Sequence, residues 1–167
     1  QGQIGDCFFI GAIAATAAAA EELGELDPIK RMFAASDPKW GVYGVVFFKN
    51  GNWEWVIVDD LIAVDPQSKL PLFANATAQE LWPMLLEKAY AKIHSCWDTI
   101  DGGLTREALA DLTGGDERRA KTSEFTLDSF VSYVGDPFTI IGCSVDPNAT
   151  AGRGAAGDLP GAAPARL

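Results

Sequence analysis

The sequence predicts an α+β fold: a helical subdomain gathered round one central apolar helix, with a small β-hairpin packed on it. Three observations carry that expectation. The run from Cys7 to Ala20 is apolar apart from Thr16 and reads as a helix that belongs to the core on every side. Val42–Phe48 and Trp53–Val58 are rich in β-branched and aromatic residues and flank Lys49-Asn50-Gly51-Asn52, where Asn-Gly is the strongest short hairpin signal. Farther on, Leu81, Leu85, Tyr90 and Ile93, with Trp82 and Leu86, lay a broad apolar face along a second long helix.

The elements follow in order. The first helix runs from Cys7 to about Glu22, with Asp6 as a good N-cap. Asp27-Pro28 restarts the chain, and a short amphipathic helix extends through Phe33. The hairpin strands span Gly41 to Phe48 and Trp53 to Asp59. Thr77-Ala78-Gln79-Glu80 is a capping box that opens a helix to about His94, with Glu80 as its N3 residue. Thr105 caps a shorter helix that stops at Gly114-Gly115, the second glycine leaving room for a left-handed end. Thr126 caps another, and Phe138 to Val145 reads as a last strand. Residues 1–148 form one subdomain. Residues 149–167, mostly Ala, Gly and Pro, hold too little apolar surface to offset ordering entropy, and disorder is expected there.

Composition removes several function classes. A net charge of −10 on 167 residues leaves no basic patch, so nucleic acid is not an expected partner. Three widely spaced cysteines make neither a disulfide framework nor a zinc site and fit a reducing, cytoplasmic setting. The apolar run at the start lacks a basic flank and is too short to cross a membrane. Trp53, Trp55, Trp82 and Trp97 read as core or edge packing rather than a ligand cage, and Cys96 and Cys143 as inert buried thiols.

Cys7 is the candidate for chemistry. It stands where a glycine-punctuated loop turns into the apolar helix, and a helix N-terminus favours negative charge through its unpaired N–H groups and aligned dipoles. The thiolate is the nucleophilic form of cysteine. Asp6 works in both directions, because a charge beside Cys7 opposes a second one. Gln1 offers a carboxamide that can donate to a developing oxyanion, and the two together suggest acyl transfer through a thioester. Packing as a small hydrophobe and a redox-reactive thiol are the alternatives for the same residue.

Gln1-Gly2-Gln3-Ile4-Gly5-Asp6-Cys7 closely resembles the catalytic-cysteine motif of the calpain family. Four further blocks resemble that family in its own order. They are Glu54-Trp55-Val56-Ile57-Val58-Asp59-Asp60; Glu80-Leu81-Trp82 with Leu85 to Lys92 (LLEKAYAK); Asp101 to Glu107 with Asp111 to Gly115; and Ile141 to Ser144. The resemblance implies a calcium-dependent, papain-like, intracellular cysteine endopeptidase that acts on protein substrates. Cys7 would be the nucleophile and Gln1 an oxyanion-hole donor. It also implies a catalytic core in two halves, of which this chain resembles the first, Cys-bearing half, clipped at both ends. The catalytic His and Asn belong to the missing half.

Two departures stand out. Phe8 occupies the position of the family's Trp, and the only histidine, His94, lies inside the long helix instead of in a Gly-His-Ala segment. A His near a helix C-terminus reads as a dipole-stabilising group rather than as the base for Cys7. The resemblance also implies calcium, with Glu80 as a possible ligand. The family's other ligands precede the catalytic Cys, and six to eight oxygens are the rule, so the site is expected to be incomplete here. Asp59 and Asp60 read as a solvated turn. The competing function class is a catalytically dead calpain-like module used for binding or regulation. Cys7 and Gln1 argue against it, and the missing partner histidine argues for it.

Overall fold

Helix α1 (Cys7–Leu23) begins at the anticipated residue and supplies the inner face of the core through Phe9, Ala12, Ile13 and Thr16. The computed structural model describes residues 1–23, 27–76 and 80–143. Contrary to the expectation of burial on every side, Cys7, Gly11, Ala14 and Ala18 form a stripe open to solvent. Their i, i+4, i+7, i+11 spacing places them on one helix face.

Asp27 caps α2 (Pro28–Met32) by accepting from the Ile29 N–H at 2.9 Å and the Lys30 N–H at 3.3 Å. The chain then leaves the helix one residue earlier than expected. Phe33 opens an unanticipated edge strand, β1 (Phe33–Asp37), bulged at Ala34. The sheet order is β1-β2-β3, antiparallel throughout, with β2 (Val42–Lys49) and β3 (Asn52–Asp59) in unbroken register from Val42↔Asp59 to Lys49↔Asn52. Both turn residues have positive φ, 51° at Asn50 and 82° at Gly51, as a two-residue hairpin loop of the favoured hand requires.

The inner sheet face carries Val45, Phe47 and Val58 onto the helices. The outer face carries Val42, Val46, Trp53, Trp55 and Ile57 over an apolar concavity of about 560 Å³. The two tryptophans are therefore exposed on the open face of the sheet, Trp55 to 70%, so of core and edge packing the core is not where they lie. Trp53 is braced edge-on by Phe48.

Helix α3 (Trp82–Ile93) starts at Trp82, with Pro83 in its first turn, where a missing N–H costs nothing. Leu81 precedes it without a side-chain cap, so Glu80 is not an N3 residue; its carboxylate instead accepts from the Trp82 indole at 3.1 Å. Thr77 to Gln79 of the expected capping box lie outside the described residues.

Helix α4 (Thr105–Thr113) packs on α1 and β2. Thr105 is its first residue, not its cap, and the left-handed stop falls on Gly114 (φ 71°), one residue before the expected glycine. Thr126 caps α5 (Leu127–Val134) through its hydroxyl, as anticipated. That helix leaves Leu127, Phe130, Val131 and Val134 in solvent. No strand forms over residues 138–143. Positions 144–167, which hold the end of that expected strand and the Ala/Gly/Pro tail, lie outside the described residues.

The core joins α1, α3 and α4 to the sheet. Phe9 stacks on Tyr90 at 3.8 Å and 10°, and Phe47 meets the same ring at 5.5 Å. Leu85, Leu86, Ala89, Ile100, Ala108 and Leu112 complete it.

Candidate active site

The loop of residues 1–6 is seated on two strands of irregular chain. The Gln3 N–H donates to the Leu72 carbonyl at 2.9 Å. On the other side the Gly5 N–H donates to Asp101 Oδ1 at 2.8 Å, and the Gly102 N–H returns a bond to the Gly5 carbonyl at 3.0 Å. Gly2 is required by this seat, because a Cβ there would land on the carbonyl oxygens of Leu72 and Phe73. The Asp6 carbonyl then accepts from Phe9 N–H at 2.8 Å and Ile10 N–H at 3.1 Å, which starts the helix. Cys7 is left exposed on the first residue of α1, where backbone N–H groups have no partner within the helix.

Asp6 does not cap that helix with its side chain. Its residue is fully buried, and neither carboxylate oxygen has a partner among ordinary donors. Glu87 of α3, 1% exposed, is the ionisable group beside it, and the Asp6 carboxyl bears on the Glu87 carboxyl. Both oxygens of Glu87 also accept from the Ala74 N–H, at 3.0 and 2.8 Å. Burial, and then the Asp6 carboxyl, push Glu87 up to about 8. Sequence reading missed this pair, because a Glu in Leu86-Glu87-Lys88 reads as a solvated helix charge. The available signal is its place three residues before Tyr90, beside the apolar stripe.

The other predicted residues are distributed as follows. The Gln1 carboxamide donates one N–H to the Ile4 carbonyl at 2.7 Å, so it folds onto its own loop with a second N–H left over. His94 is drawn away from Cys7 into another cluster. Its Nδ1 faces the Tyr90 carbonyl at 2.9 Å, which makes that nitrogen the donor, and its Nε2 accepts from Lys49 Nζ at 3.0 Å. Lys49 also pairs with Asp111 Oδ2 at 2.7 Å, and the Tyr90 hydroxyl donates to that same oxygen at 2.8 Å. Burial and the Asp111 carboxylate raise the Tyr90 phenol far above its ordinary range.

Cys96 and Cys143, expected to be buried, are both exposed: Cys96 sits in the turn after α3 and Cys143 near the end of the described chain. Trp97 stacks on Phe73 at 3.7 Å. Asp59 is held below the usual carboxylate range by Lys88 and the Leu61 N–H. Lys88 pairs with its carboxylate and also donates to the Leu61 carbonyl at 2.8 Å.

Among the described residues no three His, Cys, Asp or Glu side chains converge on a point that suits an ion, and the Glu80 carboxylate is engaged by an indole.

Comparison with known proteins bears on the same segment. Residues 1–157 match the family described as calpain family cysteine protease. The chain is similar to the calpain-type cysteine protease DEK1 of Zea mays, 41% identical over 119 residues, which is 69% of this chain and 5% of that protein. It is also similar to the calpain-2 catalytic subunit of Bos taurus, 33% identical over 151 residues, 87% of this chain and 21% of that one. The chain thus spans from about a twentieth to about a fifth of the relatives it matches.

Proposed function

The chain belongs to the calpain family of cysteine proteases, and we propose that it is the nucleophile-bearing half of a papain-like, calcium-dependent endopeptidase core acting on protein substrates. The observation that carries this reading is an exposed Cys7 on the first residue of a helix whose opposite face is core. The solvent-facing stripe of Gly11, Ala14 and Ala18 that continues from Cys7 supports it, since small side chains allow a second half of the core to approach closely.

In the mechanism that follows, the Cys7 thiolate adds to a peptide carbonyl, forming the C–S bond and moving the carbonyl electron pair onto oxygen. That oxyanion accepts from the Cys7 N–H and from the N–H of Gln1 that the Ile4 carbonyl leaves unused. Collapse expels the amine, which takes its proton from an imidazolium, and water then cleaves the thioester. The imidazole and the Asn that orients it come from the second half of the core. The partners His94 already has, Tyr90 and Lys49, support taking the base from the second half. In an assembled core Glu80 would help to hold a calcium ion, whose charge would draw the surrounding oxygens together.

We place the protein in the cytoplasm, on the support of three free cysteines. Among the described residues no helix is long and apolar enough to cross a membrane.

The test joins the chain to a second half bearing the Gly-His-Ala and Asn segments. Calcium-stimulated casein cleavage, lost in Cys7→Ser, is the expected result, with no cleavage by the 167-residue chain alone. An assembled core that stays inert with Cys7 intact would leave the binding-module reading in possession. Cleavage by the isolated chain would refute the assignment of the base to the second half.

A further inference from the structure

We propose that Asp6 and Glu87 hold a single proton between their carboxyl groups, and that this buried pair fixes the loop carrying Cys7, making Glu87 a positioning residue for the nucleophile. The proposal deepens the peptidase reading and rests on it only for the role of Cys7.

The argument starts from an unsatisfied pair of atoms. Asp6 Oδ1 and Oδ2 are buried and accept from no N–H or O–H of an ordinary donor. A buried carboxylate left in that state costs several kcal/mol. The buried carboxyl beside it is that of Glu87, which Asp6 pushes toward its neutral form, and two ionised carboxylates have no donor to offer each other. Either the pair repels inside the core or one proton bridges it, as in paired acidic sites where like charges cannot both ionise. The elevated titration of Glu87 agrees with the bridge.

The charged group felt at Glu87 among the described residues is Asp6, which favours the proton. Lys88, next in α3, is spent on Asp59 and Leu61.

What the bridge holds is the site. Asp6 is the residue before Cys7, and its carbonyl starts α1. Glu87 meanwhile grips the Ala74 N–H, and Leu72 of the same segment seats Gln3. One carboxyl on α3 thus ties both sides of the Cys7 loop. A proton held there also limits the negative charge beside the thiol to one.

The experiment uses the 167-residue chain with the Glu87 carboxyl observed by ¹³C NMR. Glu87 is expected to stay protonated at neutral pH and to ionise near about 8. Its midpoint should fall by about one pH unit or more in Asp6→Asn, whose amide donates without repelling. In parallel, iodoacetamide labelling of Cys7 is read against Cys96 in the same molecule from about pH 6 to about pH 9.

Glu87→Gln can accept from Ala74 and donate to Asp6 at every pH, so it should keep the neutral-pH rate while losing any inflection at the Glu87 midpoint. Glu87→Ala should change the rate by about threefold or more. If that variant does not fold, the wild-type titration and the Gln and Asn arms decide alone. Glu87 ionised at pH 7 in the wild type overturns the proposal. So does a Cys7 pH profile identical in wild type and Glu87→Gln. Neither readout involves peptide cleavage, so a chain that never becomes a protease leaves the result standing.

Discussion

Replacing Lys49 by Met tests how the one histidine is used. Asp111 Oδ2 receives Lys49 Nζ at 2.7 Å and the Tyr90 hydroxyl at 2.8 Å, in a side chain only 10% exposed. Removing the ammonium leaves a buried carboxylate with one neutral donor. Breaking one partner of a fully enclosed pair costs about 3–5 kcal/mol. The Lys49 side chain is 23% exposed, so the loss should be smaller, about 2–3 kcal/mol after allowance for solvent. With a urea slope of about 2 kcal/mol/M for a domain of this size, the midpoint falls by about 1 M.

Lys49→Met with Asp111→Asn removes both charges and keeps an acceptor for Tyr90. The double variant should recover about 1–2 kcal/mol of the summed single losses. Losses that add to within about 0.5 kcal/mol would refute a coupled ion pair. The functional arm is His94→Asn, which should leave the rate of Cys7 alkylation unchanged because both ring nitrogens already serve Lys49 and Tyr90. A tenfold fall, about 1.4 kcal/mol of activation free energy, would make His94 a partner of Cys7 after all.

The remaining predictions are brief. Cys7 should alkylate faster than Cys96 or Cys143 near neutral pH. All three thiols are exposed, so equal rates by mass spectrometry would deny any special activation at the helix start. Leu86→Ala, at a fully buried position, should cost about 2–5 kcal/mol by urea unfolding. Thr16→Val should be neutral to stabilising by about 1 kcal/mol, because the buried hydroxyl has no partner; a clear loss of stability would show that it has one. Burial and the Asp6 carboxyl raise Glu87 from its ordinary 4.5 to about 8 in the fold. The fold therefore retains a proton across that window, and the contribution is complete below it, falls as pH rises through it, and is gone above it. The slope is about 1.4 kcal/mol per pH unit, and urea midpoints should lose this component in Glu87→Gln.

The parts of this fold that were legible are those where local chemistry decides. Asn50-Gly51 requires a turn of one hand wherever it occurs, and Asp27-Pro28 and Thr126 cap their helices without help from distant residues. The start of α1 at Cys7 was recognisable because the loop and the helix adjoin in sequence. What escaped depends on partners far along the chain. Phe33-Ala34-Ala35-Ser36-Asp37 contains no β-branched residue and becomes a strand only because β2 offers an edge. Phe138 to Cys143 has better strand composition and forms none, so composition alone does not make a strand. Glu87 and Asp111 look like ordinary helix charges until Asp6 and Lys49 arrive from 81 and 62 positions away. The exposed Trp55 shows the same limit: alternation reveals that β3 has two faces but not which one meets the helices.

Five indoles are distributed so that this molecule will report on itself unevenly. Trp40, Trp53 and Trp55 already lie in water, and their emission should hardly shift on denaturation. Trp97, stacked against Phe73 in the segment that seats the Cys7 loop, is placed to do the opposite. The Trp97 share of an optical signal will therefore follow the bed beneath the Cys7 loop more closely than the melting of the sheet, and a change in it on binding a partner there need not mean that the whole domain has loosened.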